Sequence, residues 1–226
     1  YEQHFGEVKM NLDQARLNMV EQQIRPWDVM DSRVLDAIES TPRHRFVAES
    51  QQTLAYTDVA LPIGEGQKMM EPRLEARVLQ TLELQKSETV LEIGTGSGYV
   101  TALLCKLGAS VRSIDTHESL TEQAKDRLIA EKIGNYILES GDALSPQWNP
   151  GSQYDVVVMG GAVREIPDAI QNLVKNGGRL LAIVEQDGVK SATLMSRMDE
   201  ESWVTESLFE TEVDSLIASS SSQFTF

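Results

Sequence analysis

The stretch Val90-Leu91-Glu92-Ile93-Gly94-Thr95-Gly96-Ser97-Gly98 decides the fold. Its first four residues form a short buried strand. Three glycines at alternate positions then let the backbone turn sharply and approach a ligand with no Cβ in the way. Tyr99 to Leu107 continues as a helix. A strand, a glycine turn and a helix N-terminus make a cradle of backbone N–H groups for a polar ligand. The spacing is tighter than the G-x-G-x-x-G dinucleotide fingerprint, and an acid, Glu92, sits inside the strand two positions before the first glycine.

Length and composition bound what surrounds this turn. The 226 residues suffice for one α/β domain with a sizeable core. Hydrophobic residues make up 41% of the chain, yet no apolar run approaches the roughly 20 residues that span a bilayer, so a soluble, cytoplasmic protein is expected. The opening Tyr1 to Lys9 lacks the basic-then-apolar order of a signal peptide, and Met10 is a candidate start. One cysteine, Cys105, excludes an internal disulfide and a cysteine-based zinc site, and it falls on the apolar face of the helix after the glycines. A formal charge of −15 argues against nonspecific attraction to nucleic acid or anionic membrane. No Lys or Arg follows Arg197, while seven acids lie between Asp199 and Asp214.

Upstream of the turn the pattern is helical. Leu12, Ala15, Met19 and Val20 form one stripe before Pro26; Asp31 or Ser32 caps a second helix carrying Val34, Leu35 and Ile38. Pro42-Arg43-His44-Arg45-Phe46-Val47 is a basic cluster around one aromatic, open to a surface or a functional reading. Leu61 to Gln67 is punctuated by proline and glycine and reads as a loop. From Pro72 a helix with Leu74, Val78, Leu79 and Leu82 inward leads to the motif strand.

Downstream, β and α segments alternate: strand 110–114, helix 118–132, strands 136–139 and 154–159, helix 167–174, strand 179–184. This predicts a mostly parallel sheet covered on both faces. The helix from Glu118 turns Leu120, Ala124, Leu128 and Ile129 inward and stops at Gly134. Segments 191–197 and 203–213 complete a seven-stranded sheet as an antiparallel hairpin.

Three acids fall in order along the strands. Asp115 ends the second strand, 17 residues after Gly98. An acid there faces the ribose of a nucleoside bound over the turn, because both hydroxyls can donate to one carboxylate. Asp142, with Ala143, follows the third strand, where a carboxylate accepts from an adenine amino group. With Glu92 they favour S-adenosylmethionine (SAM) over NAD, whose pyrophosphate needs another glycine spacing and sits poorly beside an acid. The turn resembles motif I of class I, Rossmann-like methyltransferases.

A closer resemblance follows from four segments. Arg43-His44-Arg45-Phe46-Val47, Ala55 to Gln67, Val90 to Tyr99, and Gly177-Gly178-Arg179-Leu180 are similar to the protein-L-isoaspartate O-methyltransferase family, from about Met19 to Val184. The resemblance implies methyl transfer from SAM to the carboxylate of isoaspartyl residues in damaged proteins, with no metal. It implies that Glu92, Gly94, Thr95, Gly96, Gly98, Asp115, Asp142 and Ala143 bind the cofactor. Length, periodicity and composition predict one domain over residues 1–226, with a helical cap at 10–66, a SAM-binding core at 67–217 and a disordered tail at 218–226.

One departure bears on the acceptor. Where the family carries Thr-Ile-Ser after Gly-Gln, this chain has Lys68, Met69 and Met70, and the family's following histidine is matched by Arg73. Two hydroxyls are replaced by a cation and flexible apolar side chains. Lys68, Met70 and Arg73 are therefore the candidates for contact with the acceptor. A damaged protein or peptide, a small-molecule acceptor, or a silent SAM-binding module all remain compatible with the sequence.

Overall fold

The computed structural model describes residues 11–108 and 110–217. The expected tail at 218–226 and the opening residues to Met10 lie outside the described residues. Seven strands form one sheet: β3 (Thr89–Ile93), β4 (Ser110–Asp115), β5 (Tyr136–Ser140), β6 (Tyr154–Val163), β7 (Val174–Gln186), β8 (Val189–Arg197) and β9 (Trp203–Glu210). A two-stranded ribbon, β1 (Leu61–Gly64) and β2 (Gln67–Met69), stands before them. The helices are α1 (Leu12–Met19), α2 (Ser32–Glu39), α3 (Pro72–Leu82), α4 (Tyr99–Leu107), α5 (Glu118–Ala130) and α6 (Asp168–Gln171).

The sheet order is β5-β4-β3-β6-β7-β8-β9, parallel from β5 to β7 and antiparallel for β8 and β9. The motif strand β3 is central, and the chain leaves it first to β4 and later to β6, so the strand order reverses at its carboxyl end. A crevice opens at such a point because the connections on its two sides diverge. Alternation along β3 divides its residues between two cores. Val90 packs with Val111, Val156, Val158 and Leu181 on one face; Leu91 and Ile93 pack with Ile114, Val157 and Leu180 on the other. The segment before β1 joins the first core through Met19, Ile24, Ile38 and Phe46, all buried. Asp31 is the cap of α2, its carboxylate accepting from Arg33 N at 2.9 Å.

Several expectations are corrected. Leu61 to Gln67 is the β1–β2 hairpin, with Glu65 and Gly66 at positive φ forming its turn. The helix expected at 167–174 is a single turn, because Val174 already pairs with Tyr154 and starts β7. Helix α5 ends at Ala130, and the left-handed residue there is Lys132 at φ 58°, with Ile133 N bonding Leu128 O; Gly134 plays no such part. Ile129 is exposed, since it lies 100° around the helix from the inward Leu128. Strand β9 stops at Glu210, and residues 211–217 run back over the end of β6: Ala162 N bonds Asp214 O at 3.0 Å, and Leu216 N bonds Ala162 O at 2.8 Å. Cys105 is buried as expected, and burial pushes its thiol up to about 12.

Candidate active site

A cavity of about 310 Å³ lies at the carboxyl ends of β3, β4 and β6, between the β1–β2 hairpin and the returning segment 211–217. Gly94, Gly96 and Gly98 have φ of 98°, 52° and 83°, a conformation that L side chains rarely adopt. The turn is pinned by Gly94 N on Ile114 O at 2.8 Å and Gly98 N on Thr95 O at 2.9 Å.

Seven of the eight expected cofactor residues line this cavity: Glu92, Gly94, Thr95, Gly96, Asp115, Asp142 and Ala143. Gly98 does not. It faces α5, where a Cβ would stand 2.9 Å from that of Ala124, so its lack of a side chain serves close helix packing.

Asp115 is held in place before any ligand arrives. Its Oδ2 accepts from Gly96 N at 2.9 Å, and its Oδ1 from His117 N at 2.9 Å with His117 Nδ1 at 3.2 Å. An ionised carboxylate has about four acceptor positions. One on Oδ2 is therefore left for a further donor such as a ribose hydroxyl, and a second on Oδ1 is freed only if the His117 ring turns. Asp142 Oδ1 accepts from Leu144 N at 2.8 Å, which fixes the loop carrying the buried Ala143.

Glu92 is 2% exposed. Its Oε2 accepts from Thr101 Oγ1 at 2.5 Å and Ser113 Oγ at 2.6 Å, and Thr95 Oγ1 lies 2.6 Å from the same serine hydroxyl. Burial pushes its carboxyl up to about 7, against the pull of those two hydroxyl donors. No cation faces it among the described residues, so the site holds a nearly dry carboxylate that gains from a positively charged ligand. That property and the glycine cradle fit a cationic nucleoside such as SAM.

A family model described as Protein-L-isoaspartate(D-aspartate) O-methyltransferase matches residues 14–215. The chain belongs to this family. Its members are SAM-dependent methyltransferases, so the fold, enzyme class and methyl donor expected from the sequence stand. A protein-L-isoaspartate O-methyltransferase of Petrotoga mobilis is 36% identical over 174 residues, covering 76% of this chain and 81% of that one. Protein-L-isoaspartate O-methyltransferase 2 of Shewanella sediminis is 40% identical over 167 residues, covering 74% and 68%. A solved protein-L-isoaspartate O-methyltransferase superposes with a TM-score of 0.77 at 25% identity, over 92% of this chain and 66% of that one. A Plasmodium falciparum structure assigned the same activity, in complex with S-adenosyl-L-homocysteine, gives 0.78 at 18% identity over 92% and 99%; at that identity it shows the shared fold.

In this member of the protein-L-isoaspartate O-methyltransferase family, the three candidates for contact with the acceptor are placed apart. Lys68 and Met70 line the cavity, and Lys68 Nζ lies 3.7 Å from Asp214 Oδ2 with both side chains half exposed. Arg73 is placed elsewhere: it pairs with Asp58 at 3.0 Å, stacks on Trp27 at 4.2 Å, and lines a second cavity.

Sequence reasoning missed three parts of the site. The first is the pair Arg43 and Glu75, both buried and in direct hydrogen-bonded contact. Glu75 lines the cavity, and Arg43 Nη2 also donates to Met70 O at 2.6 Å, tying the segment before β1 to the one before α3. Burial raises the Glu75 carboxyl and the guanidinium opposes that rise. The signal was present: Glu75 falls on the Leu74, Val78, Leu82 stripe, where an acid demands a buried cation. The second is Lys190, whose Nζ donates to Val213 O at 2.7 Å beside the cavity. The third is Leu216, brought over Gly94 by the return of the chain; a Cβ on Gly94 would lie 3.3 Å from Leu216 Cδ2.

Proposed function

We propose that this protein transfers a methyl group from SAM to the free carboxylate of isoaspartyl residues in damaged proteins or peptides. What carries the reading is that seven of the residues expected to bind the cofactor and the Lys68 to Met70 segment line one cavity. When bound, the cofactor supplies a methyl group already activated on a sulfonium, and transfer to a carboxylate leaves a neutral thioether and a methyl ester. A carboxylate is ionised at neutral pH, so the acceptor needs no general base. The chain's task is alignment and exclusion of water.

Asp115 accepts from the ribose, the Asp142-Ala143 loop borders the adenine, and Glu92 offers its carboxylate to the positive charge. Lys68 holds the acceptor carboxylate when it exchanges Asp214 for the substrate, and Lys190 adds a second ammonium beside it. The cap, bound to Met70 through Arg43, keeps this loop in register. We read cap, core and sheet as one folding unit and place the protein in the cytoplasm, in keeping with its single, buried thiol. The negative net charge supports a polypeptide acceptor over nucleic acid. Among the described residues no helix is long and apolar enough to cross a membrane.

A second reading, methyl transfer to a different and small acceptor, is favoured by the loss of both hydroxyls at Lys68 and Met70. Radiolabelled transfer to an isoaspartyl peptide beside its aspartyl control separates the two. Base-labile label on the isoaspartyl peptide alone supports the first reading. Cofactor binding with label appearing only on small molecules of a cell extract supports the second.

A further inference from the structure

A second cavity of about 380 Å³ lies between α3 and the β7–β8 turn, walled by Trp27, Arg73, Arg77, Val189 and Phe209. It adjoins the first, because Glu71, Lys190 and Glu212 line both. In its wall the Arg77 guanidinium packs 3.8 Å from the centroid of Phe209 and lies 5.7 Å from that of Trp27, the ring on which Arg73 stacks.

Arg77 differs from its neighbours in what it lacks. Arg73 is paired with Asp58, and Lys190 is bonded to Val213 O. Among the described residues Arg77 has no hydrogen bond or ion pair through its guanidinium. Stacking occupies only the faces of a guanidinium and leaves five N–H donors in its plane, held in a fixed orientation and suited to a bidentate carboxylate. A half-buried cation packed on Phe209, with no acid at ion-pair distance among the described residues, beside the acceptor cavity of a chain with net charge −15 is an unfilled half of an ion pair. The carboxylates of Glu71, Glu210 and Glu212 also border the cavity. They oppose a phosphate dianion more strongly than a singly charged carboxylate.

We propose that Arg77 binds an acidic side chain of the acceptor polypeptide a few residues from the methylated position, so that the second cavity selects acceptors with an acidic flank. This rests on the reading that the acceptor is a polypeptide. Trp27, being a wall of the cavity, reports occupancy by its fluorescence.

The test uses isoaspartyl peptides carrying one Glu at each of the four positions on either side of the isoaspartyl residue, with Gln counterparts. Binding is followed by tryptophan fluorescence in the presence of S-adenosylhomocysteine, with Trp27→Phe as the signal control. At one or more positions the Glu peptide is expected to bind about tenfold tighter than its Gln partner. Arg77→Gln brings that ratio to about one. Arg77→Lys, which keeps charge without the planar fork, gives an intermediate ratio. Retained S-adenosylhomocysteine affinity shows that both variants are folded. The proposal is overturned if no position discriminates, or if Arg77→Gln keeps the ratio. Displacement of the Glu peptide by inorganic phosphate more readily than by acetate overturns the carboxylate assignment. Glu-selective binding without methylation sinks the isoaspartyl reading and leaves this site standing; methylation without selectivity does the reverse.

Discussion

Lys68 Nζ stands 3.7 Å from Asp214 Oδ2, joining strand β2 to the segment that returns over β6. Both groups are half exposed, so the pair itself is weak, about 0–1 kcal/mol, and easily exchanged for another carboxylate. Restoring the family triplet, Lys68→Thr with Met69→Ile and Met70→Ser, is expected to raise isoaspartyl methylation while S-adenosylhomocysteine affinity stays within a few-fold. Asp214→Asn is expected to lower KM for an isoaspartyl peptide by a few-fold, by leaving Lys68 unpaired. If neither change alters peptide kinetics, Lys68 is a solvated charge and the acceptor carboxylate is held elsewhere.

The dry carboxylate of Glu92 makes cofactor binding pH-dependent. With its pKa at about 7, burial keeps part of the ligand-free population protonated at neutral pH. A cationic ligand favours the ionised form, so SAM affinity is expected to rise up to about tenfold per pH unit below pH 7 and to level off above it. Without ligand, the folded state holds this proton to a higher pH than the unfolded chain. Stability therefore falls as pH rises from 4.5 to about 7, by at most about 3 kcal/mol from this group. Glu92→Gln should flatten the affinity profile and raise the melting temperature of the ligand-free protein at pH 8. Calorimetry between pH 6 and 8 showing a constant wild-type affinity would rule the linkage out.

Arg43 and Glu75 are expected to behave as one unit. Glu75→Ala strands a buried guanidinium and should cost about 3–5 kcal/mol in denaturant unfolding. The apolar double variant Arg43→Met with Glu75→Leu should cost far less than the two single changes combined. Simple additivity in that cycle would mean the pair is not coupled.

Asp115 and Gly98 should separate cofactor binding from packing. Asp115→Ala removes the acceptor for the ribose and should weaken S-adenosylhomocysteine binding by about 1.5–3 kcal/mol. Gly98→Ala puts a Cβ 2.9 Å from that of Ala124 at φ 83° and should cost about 1–3 kcal/mol of stability. Measured well below its melting temperature, the Gly98 variant should bind cofactor within a few-fold of wild type. A larger binding defect there than in Asp115→Ala would restore Gly98 to the cofactor site.

The sequence by itself determined the sheet and its cofactor end. Strand periodicity, alternate glycines and acids at strand ends are local signals, and parallel strands joined by helices leave little freedom in where those ends meet. Glu92, Asp115 and Asp142 therefore came together as read. The tertiary structure alone decided what surrounds Lys68 to Arg73, because the partners there are distant in sequence and carry no periodic signal. Arg43 lies in a basic cluster and Glu75 on a helix 32 residues away, and only packing of the cap against α3 joins them. Arg73 has the right charge for an acceptor, but its helical phase turns it onto Trp27 and Asp58. Leu216 reaches the glycine turn because β9 stops at Glu210 and the chain is bonded back onto Ala162, a long-range contact that no local pattern in residues 211–217 encodes.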